Sequence, residues 1–261
     1  MKNFQYCKKL KGFLQCTIRT MEYMKKANYY VLTTIDSEKH KKMKYRFEHE
    51  NIEAMYCPVV EFNDYRLSDV EDKYKRPWSC MLGHLDMFTR FLNSDAKYGI
   101  FCEDDVHIRR GITEIIPETI AKYERRDLEI LMLGYLFPFK PVELTFYHEP
   151  EFYHQKLDII DENLIYFSYI ERLWGSQMYM LDKKTAQRFL NTYTLEYAKQ
   201  SLMNPDMAHF AVDWTITKNG RRAAVYPMLA VEEKPTDSSD YGQYTYHTKC
   251  NEVHYDASKY I

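Results

Sequence analysis

The period of the apolar positions changes along the chain, and each change marks an element. "NYYVLTTID" (28–36) is β-branched and aromatic and ends in polar residues, which predicts a first strand. Ser37 then stands as an N-cap before a helical run in which Met43 and Phe47 lie one turn apart. "IEAMYCPVV" (52–60) predicts a second strand, closed by Pro58. Strand, helix and strand at this spacing form a βαβ unit, and hence a parallel sheet covered by helices. "RPWSCMLGHLDMFTRFL" (76–92) sets Met81, Leu85, Phe88 and Leu92 on one helical face, with Pro77 near the helix start.

The next strand is "KYGIFCEDDV" (97–106). A helix over 112–123 carries an interruption at Pro117, and 128–137 reads as a buried strand. Residues 138–157 have no clean period and predict a long loop or small hairpin. Residues 175–193 predict a strand, a turn at Asp182–Lys184 and a helix. A short helix over 209–220 and a late strand over 222–233 follow. The tail from Lys234 is polar and tyrosine-rich, with Ser, Asp and Gly turns. No internal repeat or low-complexity linker divides the chain. One α/β domain is expected over 28–261, preceded by an N-terminal helical extension, 1–27, whose residues 13–27 form an amphipathic pattern.

Composition narrows the function classes. A hydrophobic fraction of 45% in 261 residues suffices for a core. With 36 basic and 38 acidic residues, the chain lacks the basic excess of a dedicated nucleic-acid binder. The basic run "KHKKMKYR" (39–46) reads first as a solvated helix face, and second as a phosphate contact. Only 8 glycines are present, and no G-x-G-x-x-G or Walker run occurs. The six cysteines make no C-x-x-C pair and no familiar zinc spacing with histidine. Read as reduced thiols, they fit a cytoplasmic chain. No apolar run reaches the ~18 residues of a membrane span, and no secretory h-region is visible.

The chemistry gathers at "CEDDV". Three consecutive carboxylates, Glu103, Asp104 and Asp105, close an otherwise apolar strand. Like charges this close repel unless a cation or hydrogen bonds compensate. In extended chain, Glu103 and Asp105 face one side and Asp104 the other. Paired carboxylates suit a hard divalent cation, Mg2+ or Mn2+. A solvated turn is the alternative. Asp36 also falls at a predicted strand end, and ligands of open α/β sheets bind there.

The order of several short pieces resembles glycosyltransferase family 25, which includes lipooligosaccharide and collagen galactosyltransferases. "SCMLGH" (79–84) is similar to the family's G-C-x-x-S-H, with Ser79 and Gly83 exchanged against its Gly and Ser. "IFCEDDV" (100–106) resembles I-L-E-D-D-V. "GSQMYMLDKKTAQRFL" (175–190), "AVDWTI" (211–216) and "VYPMLAVEE" (225–233) match later segments, with Glu232 or Glu233 where the family has Gln.

That resemblance implies a GT-A fold: a Rossmann-like mixed, mainly parallel sheet flanked by helices in a single domain. It implies a nucleotide-sugar donor, first of all a UDP-sugar, a glycan or glycoprotein acceptor, and inverting transfer. It further implies Mn2+ or Mg2+ on a D-x-D-type motif, assigned here to Glu103 and Asp105 with His247 from the tail. Donor contacts are assigned to Thr33, Thr34, Asp36, His84, Glu103 and Asp104. The base that deprotonates the acceptor hydroxyl is assigned to Asp213, beside Trp214, with Glu232 and Asp206 behind it. Trp174 and Trp214 are candidates for stacking on a sugar or base. Two other classes stay open at this stage: a metal-dependent phosphohydrolase on the same carboxylates, and a non-catalytic relative that binds nucleotide-sugar or a partner.

Overall fold

The structure, a computed structural model, describes residues 26–141, 156–161, 164–169, 173–236 and 238–261. The predicted helix in the N-terminal extension and most of the predicted 138–157 loop lie outside these residues.

The first βαβ unit forms as its sequence dictates. β1 (Ala27–Thr33) leads into α1 (Glu38–His49) and then β2 (Ala54–Pro58). The Ser37 hydroxyl accepts from the His40 amide and caps α1, while Met43 and Phe47 are buried beneath it. β1 pairs in parallel with both β2 and β3 (Tyr98–Glu103). β5 (Ile130–Leu136) pairs in parallel with β9 (Arg222–Tyr226). β8 (Trp174–Asp182) runs antiparallel between β3 and β5. Because β8 opposes both neighbours, β1, β2, β3, β5 and β9 all point one way. β7 (Leu164–Phe167) and β6 (Lys156–Asp161) extend the far edge, giving the order β2-β1-β3-β8-β5-β9-β7-β6. This is the expected Rossmann-like mixed, mainly parallel sheet flanked by helices.

Alternation along each strand feeds two cores. On β1, Tyr30 and Leu32 join α2 (Asp72–Leu92) and α4 (Lys183–Thr192) on one face. Tyr29 and Val31 join α1 and α3 (Ile112–Arg125) on the other. α2 comes close to the sheet at Gly83, where a Cβ would stand 2.6 Å from a Leu32 methyl. Outside the main sheet, β4 (Val106–Ile108) and β10 (Ala230–Glu232) form a two-stranded antiparallel ribbon.

Several predicted boundaries move. α2 starts at Asp72, so Pro77 lies inside the helix instead of at its start. α3 likewise runs through Pro117 without interruption. Each proline sits at the sixth helical position, and the helix continues past it. Residues 209–220 form successive turns and no helix. The late strand breaks into β9 and β10 around Pro227. α5 (Leu195–Met203), capped by Thr194, was not predicted. The tail, read as turns, contains α6 (Tyr241–His254), capped by Asp240. Among the described residues no helix is long and apolar enough to cross a membrane.

Candidate active site

The acidic triplet divides as the strand geometry requires. Glu103 ends β3, and Asp104 and Asp105 form the bend into β4. Asp104 turns toward the end of β1, where the Thr33 hydroxyl donates to its Oδ2 at 2.6 Å. Glu103 and Asp105 instead face a cavity of about 580 Å3, which Asp213, Glu232 and His247 also line. The Ser176 hydroxyl, on β8, donates to Glu103 Oε1 at 2.5 Å.

Glu232 arrives through the ribbon. β10 pairs with β4 so that Glu232 stands opposite Val106, and the Glu233 amide donates to the Asp105 carbonyl at 2.6 Å. The ribbon therefore fixes Asp105 and Glu232 relative to each other. α6 supplies His247, whose Nδ1 meets Glu232 Oε2 at 2.7 Å. Trp174 and Trp214 border the same cavity in an edge-to-face pair with centroids 4.9 Å apart. A second hollow of about 240 Å3 adjoins it, sharing Arg76, Asp105, Glu232 and His247 and adding Lys39 and Lys234.

The sequence model of glycosyltransferase family 25 (LPS biosynthesis protein) matches residues 17–207. The chain belongs to this family. Membership supports glycosyl transfer, with a sugar donor and an acceptor. The matched span holds the triplet and ends before Asp213, Glu232 and His247. No curated protein matches the chain in sequence. Among solved structures, the mannose-1-phosphate geranyltransferase from Thermus thermophilus is similar at 12% identity and a TM-score of 0.38. That likeness covers 77% of this chain and 73% of the other, and says nothing of what this chain does.

The family 25 chain crowds negative charge into this cavity. Burial, and then Asp105, hold Glu103 well above the usual carboxylate range. Burial also raises Glu232 and Asp213. One oxygen of Asp213, Oδ1, is buried with no hydrogen-bond partner. Beside it, Gly175 has a φ of 87°, and the Gly175 amide works against the upward shift of Asp213. A side chain at 175 would be strained and would meet the Gln177 carboxamide, so glycine is what the turn requires. The bond to Glu232 raises the His247 pKa.

Other predicted contacts fall elsewhere. Asp36 is exposed in the turn after β1, with a φ of 63° and its amide donating to His40 Nδ1; it does not line the cavity. Thr34 is exposed and accepts the Ser37 amide through its carbonyl. Asp206 is exposed in a turn and does not line the cavity. His84 is fully buried in mid-helix, so it neither caps α2 nor faces a phosphate.

Sequence reasoning missed Arg76, Cys80, Ser176 and Gln177, all of which line the cavity. A signal for Cys80 existed, because Cys80 and His84 are four apart on a helix and share a face. Lys39, read as part of a solvated face, reaches Asp105 Oδ2 at 3.0 Å.

Proposed function

We propose that this family 25 chain moves a sugar from a nucleotide-diphosphate donor, a UDP-sugar, to a hydroxyl of a glycan or glycoprotein, with inversion and with Mn2+ or Mg2+. The observation that carries this reading is the convergence of Glu103, Asp105, Asp213 and Glu232 on one cavity walled by two tryptophans. Four carboxylates in a partly buried space repel one another, with Lys39 on Asp105 and His247 on Glu232 as counter-charges, and Asp213 Oδ1 has no hydrogen-bond partner. A divalent cation fits that donor set, with Glu103 and Asp105 to hold it and His247 at its margin. When bound it supplies Lewis-acid stabilisation of the departing diphosphate.

The remaining chemistry falls to side chains. Asp213 takes the proton of the acceptor hydroxyl as that oxygen bonds to the sugar's anomeric carbon, while the bond from that carbon to the diphosphate oxygen breaks. Burial raises its basicity, and one of its oxygens has no competing partner. Glu232 is the weaker base because His247 engages it. Arg76 is exposed, makes no ion pair among the described residues, and borders both hollows, so its guanidinium meets the charge that grows on the diphosphate. Trp174 and Trp214 offer faces for the sugar. Asp104, in the bend after β3 and turned toward the end of β1, is proposed to hold the nucleotide side, with the buried Thr33 hydroxyl positioning it.

Calorimetry with UDP, GDP and a panel of UDP-sugars, with and without Mn2+, tests the proposal. Metal-dependent binding that disappears in Asp105→Ala is expected. No nucleotide binding by a folded chain would sink it. Phosphate release with no sugar transferred would favour the phosphohydrolase alternative.

A further inference from the structure

Beneath the cavity floor lies a second arrangement that the sugar-transfer scheme does not use. Cys80 and His84 project from consecutive turns of α2 toward the end of β3. Cys80 Sγ, a ring nitrogen of His84 and a carboxylate oxygen of Glu103 all lie within 4.8 Å of one another. His84 Nε2 is 4.0 Å from Glu103 Oε1, is buried, and has no hydrogen-bond partner. A buried polar nitrogen without a partner is costly, and ligation of a metal would satisfy it.

The supports around His84 are those of a metal ligand. Its ring stacks on Tyr179 with centroids 5.6 Å apart, and its Nδ1 meets the Tyr179 hydroxyl at 2.6 Å. A hydrogen bond at one ring nitrogen is what orients the other for coordination, with Nδ1–H donating to Tyr179. Glu103 is held in turn by Ser176. A carboxylate oxygen accepts more than one contact, so this bond leaves capacity for a metal.

We infer that Cys80, His84 and Glu103 form a three-ligand Zn2+ site whose fourth position opens into the cavity. A sulfur, nitrogen and oxygen set selects a borderline metal over Mg2+ or Mn2+. Ligands at tetrahedral Zn2+ distances stand roughly 3.3–3.8 Å apart, so closure takes about 1 Å of movement. The Cys80 and Glu103 side chains supply it by small rotations, against a fixed imidazole. Cys80 and Glu103 both border the cavity, which leaves the fourth position to water or a substrate oxygen. The site shares Glu103 with the proposed hard-cation position but does not depend on nucleotide chemistry.

Cobalt is the probe. The reduced full-length chain, with no nucleotide present, is titrated with Co2+ and followed by absorption. One equivalent should produce a thiolate-to-cobalt charge-transfer band and the visible bands of four-coordinate Co2+, and Zn2+ should abolish both. Cys80→Ser should remove the charge-transfer band, and His84→Gln should weaken binding at least tenfold. Asp105→Ala and Cys102→Ser should retain the band, because neither residue belongs to the set. Circular dichroism of Cys80→Ser, a near-isosteric change, confirms that the fold survives. Absence of a thiolate band in the wild type, or its survival in Cys80→Ser, would overturn the site. Failure of nucleotide binding in the calorimetry leaves this outcome unaffected.

Discussion

At the scale of single residues, the cavity separates carboxylates that sequence alone treats alike. Asp213 is half-buried in the cavity lined by Trp174 and Trp214, whereas Asp206, seven residues earlier, is exposed in a turn. Asp213→Asn should lower kcat by roughly 10²–10⁴-fold with the donor that calorimetry selects, the usual worth of a positioned base. Asp206→Asn should leave the rate unchanged. Full activity in Asp213→Asn would transfer the role of base to Glu232. The alternation of Glu103 and Asp105 against Asp104 was legible, because a strand sends successive side chains to opposite faces. The partner of Asp104 was not, since Thr33 lies 71 residues away and meets it only through strand pairing. Asp36 was misplaced for a related reason: a left-handed turn at the end of β1 carries it out to solvent.

Elements fix how closely these residues approach. β10 crosses β5 where a Cβ on Gly134 would lie 2.6 Å from the Ala230 carbonyl oxygen. Gly242, in the first turn of α6, has only the Asp240 carboxylate near its missing Cβ, at 3.4 Å. The same substitution should therefore act with opposite signs. Gly134→Ala should cost roughly 1–3 kcal/mol by overpacking. Gly242→Ala should gain roughly 0.4–1 kcal/mol by restricting the unfolded chain. Urea denaturation of both variants checks this, and two shifts of equal sign would refute it. The βαβ unit was readable because its caps and periods agree with its packing. α6 was not, because its Tyr, His, Thr and Asn positions make no apolar stripe. Its start was nonetheless written in the chain. Asp240 caps the Gln243 amide, a D-x-x-Q variant of the capping box.

For the whole molecule, α6 is the clasp that joins the late chain to the sheet. His254, near its end, reaches the Phe137 carbonyl through Nε2 at 2.7 Å. Burial lowers the His254 pKa below the ordinary histidine value. Its folded pKa thus lies below its unfolded one, so the unfolded chain takes up the proton first. The stability this group contributes is present above about pH 6.5 and is lost as pH falls below it. The slope is at most about 1.4 kcal/mol per pH unit for one proton. Thermal midpoints at pH 7.5 and 5.5 should fall further for the wild type than for His254→Gln, which retains an N–H donor. Equal losses would show that the clasp does not sense acid.

One ion pair bears directly on the proposed cation position. Lys39, half exposed on α1, already neutralises Asp105. Its grip is weak, as exposed ion pairs are, worth at most about 1 kcal/mol. The acidic bend thus carries an internal counterion of its own. If the proposed cation binds at Asp105, its uptake would be an exchange rather than an addition, with the Lys39 ammonium as the group displaced.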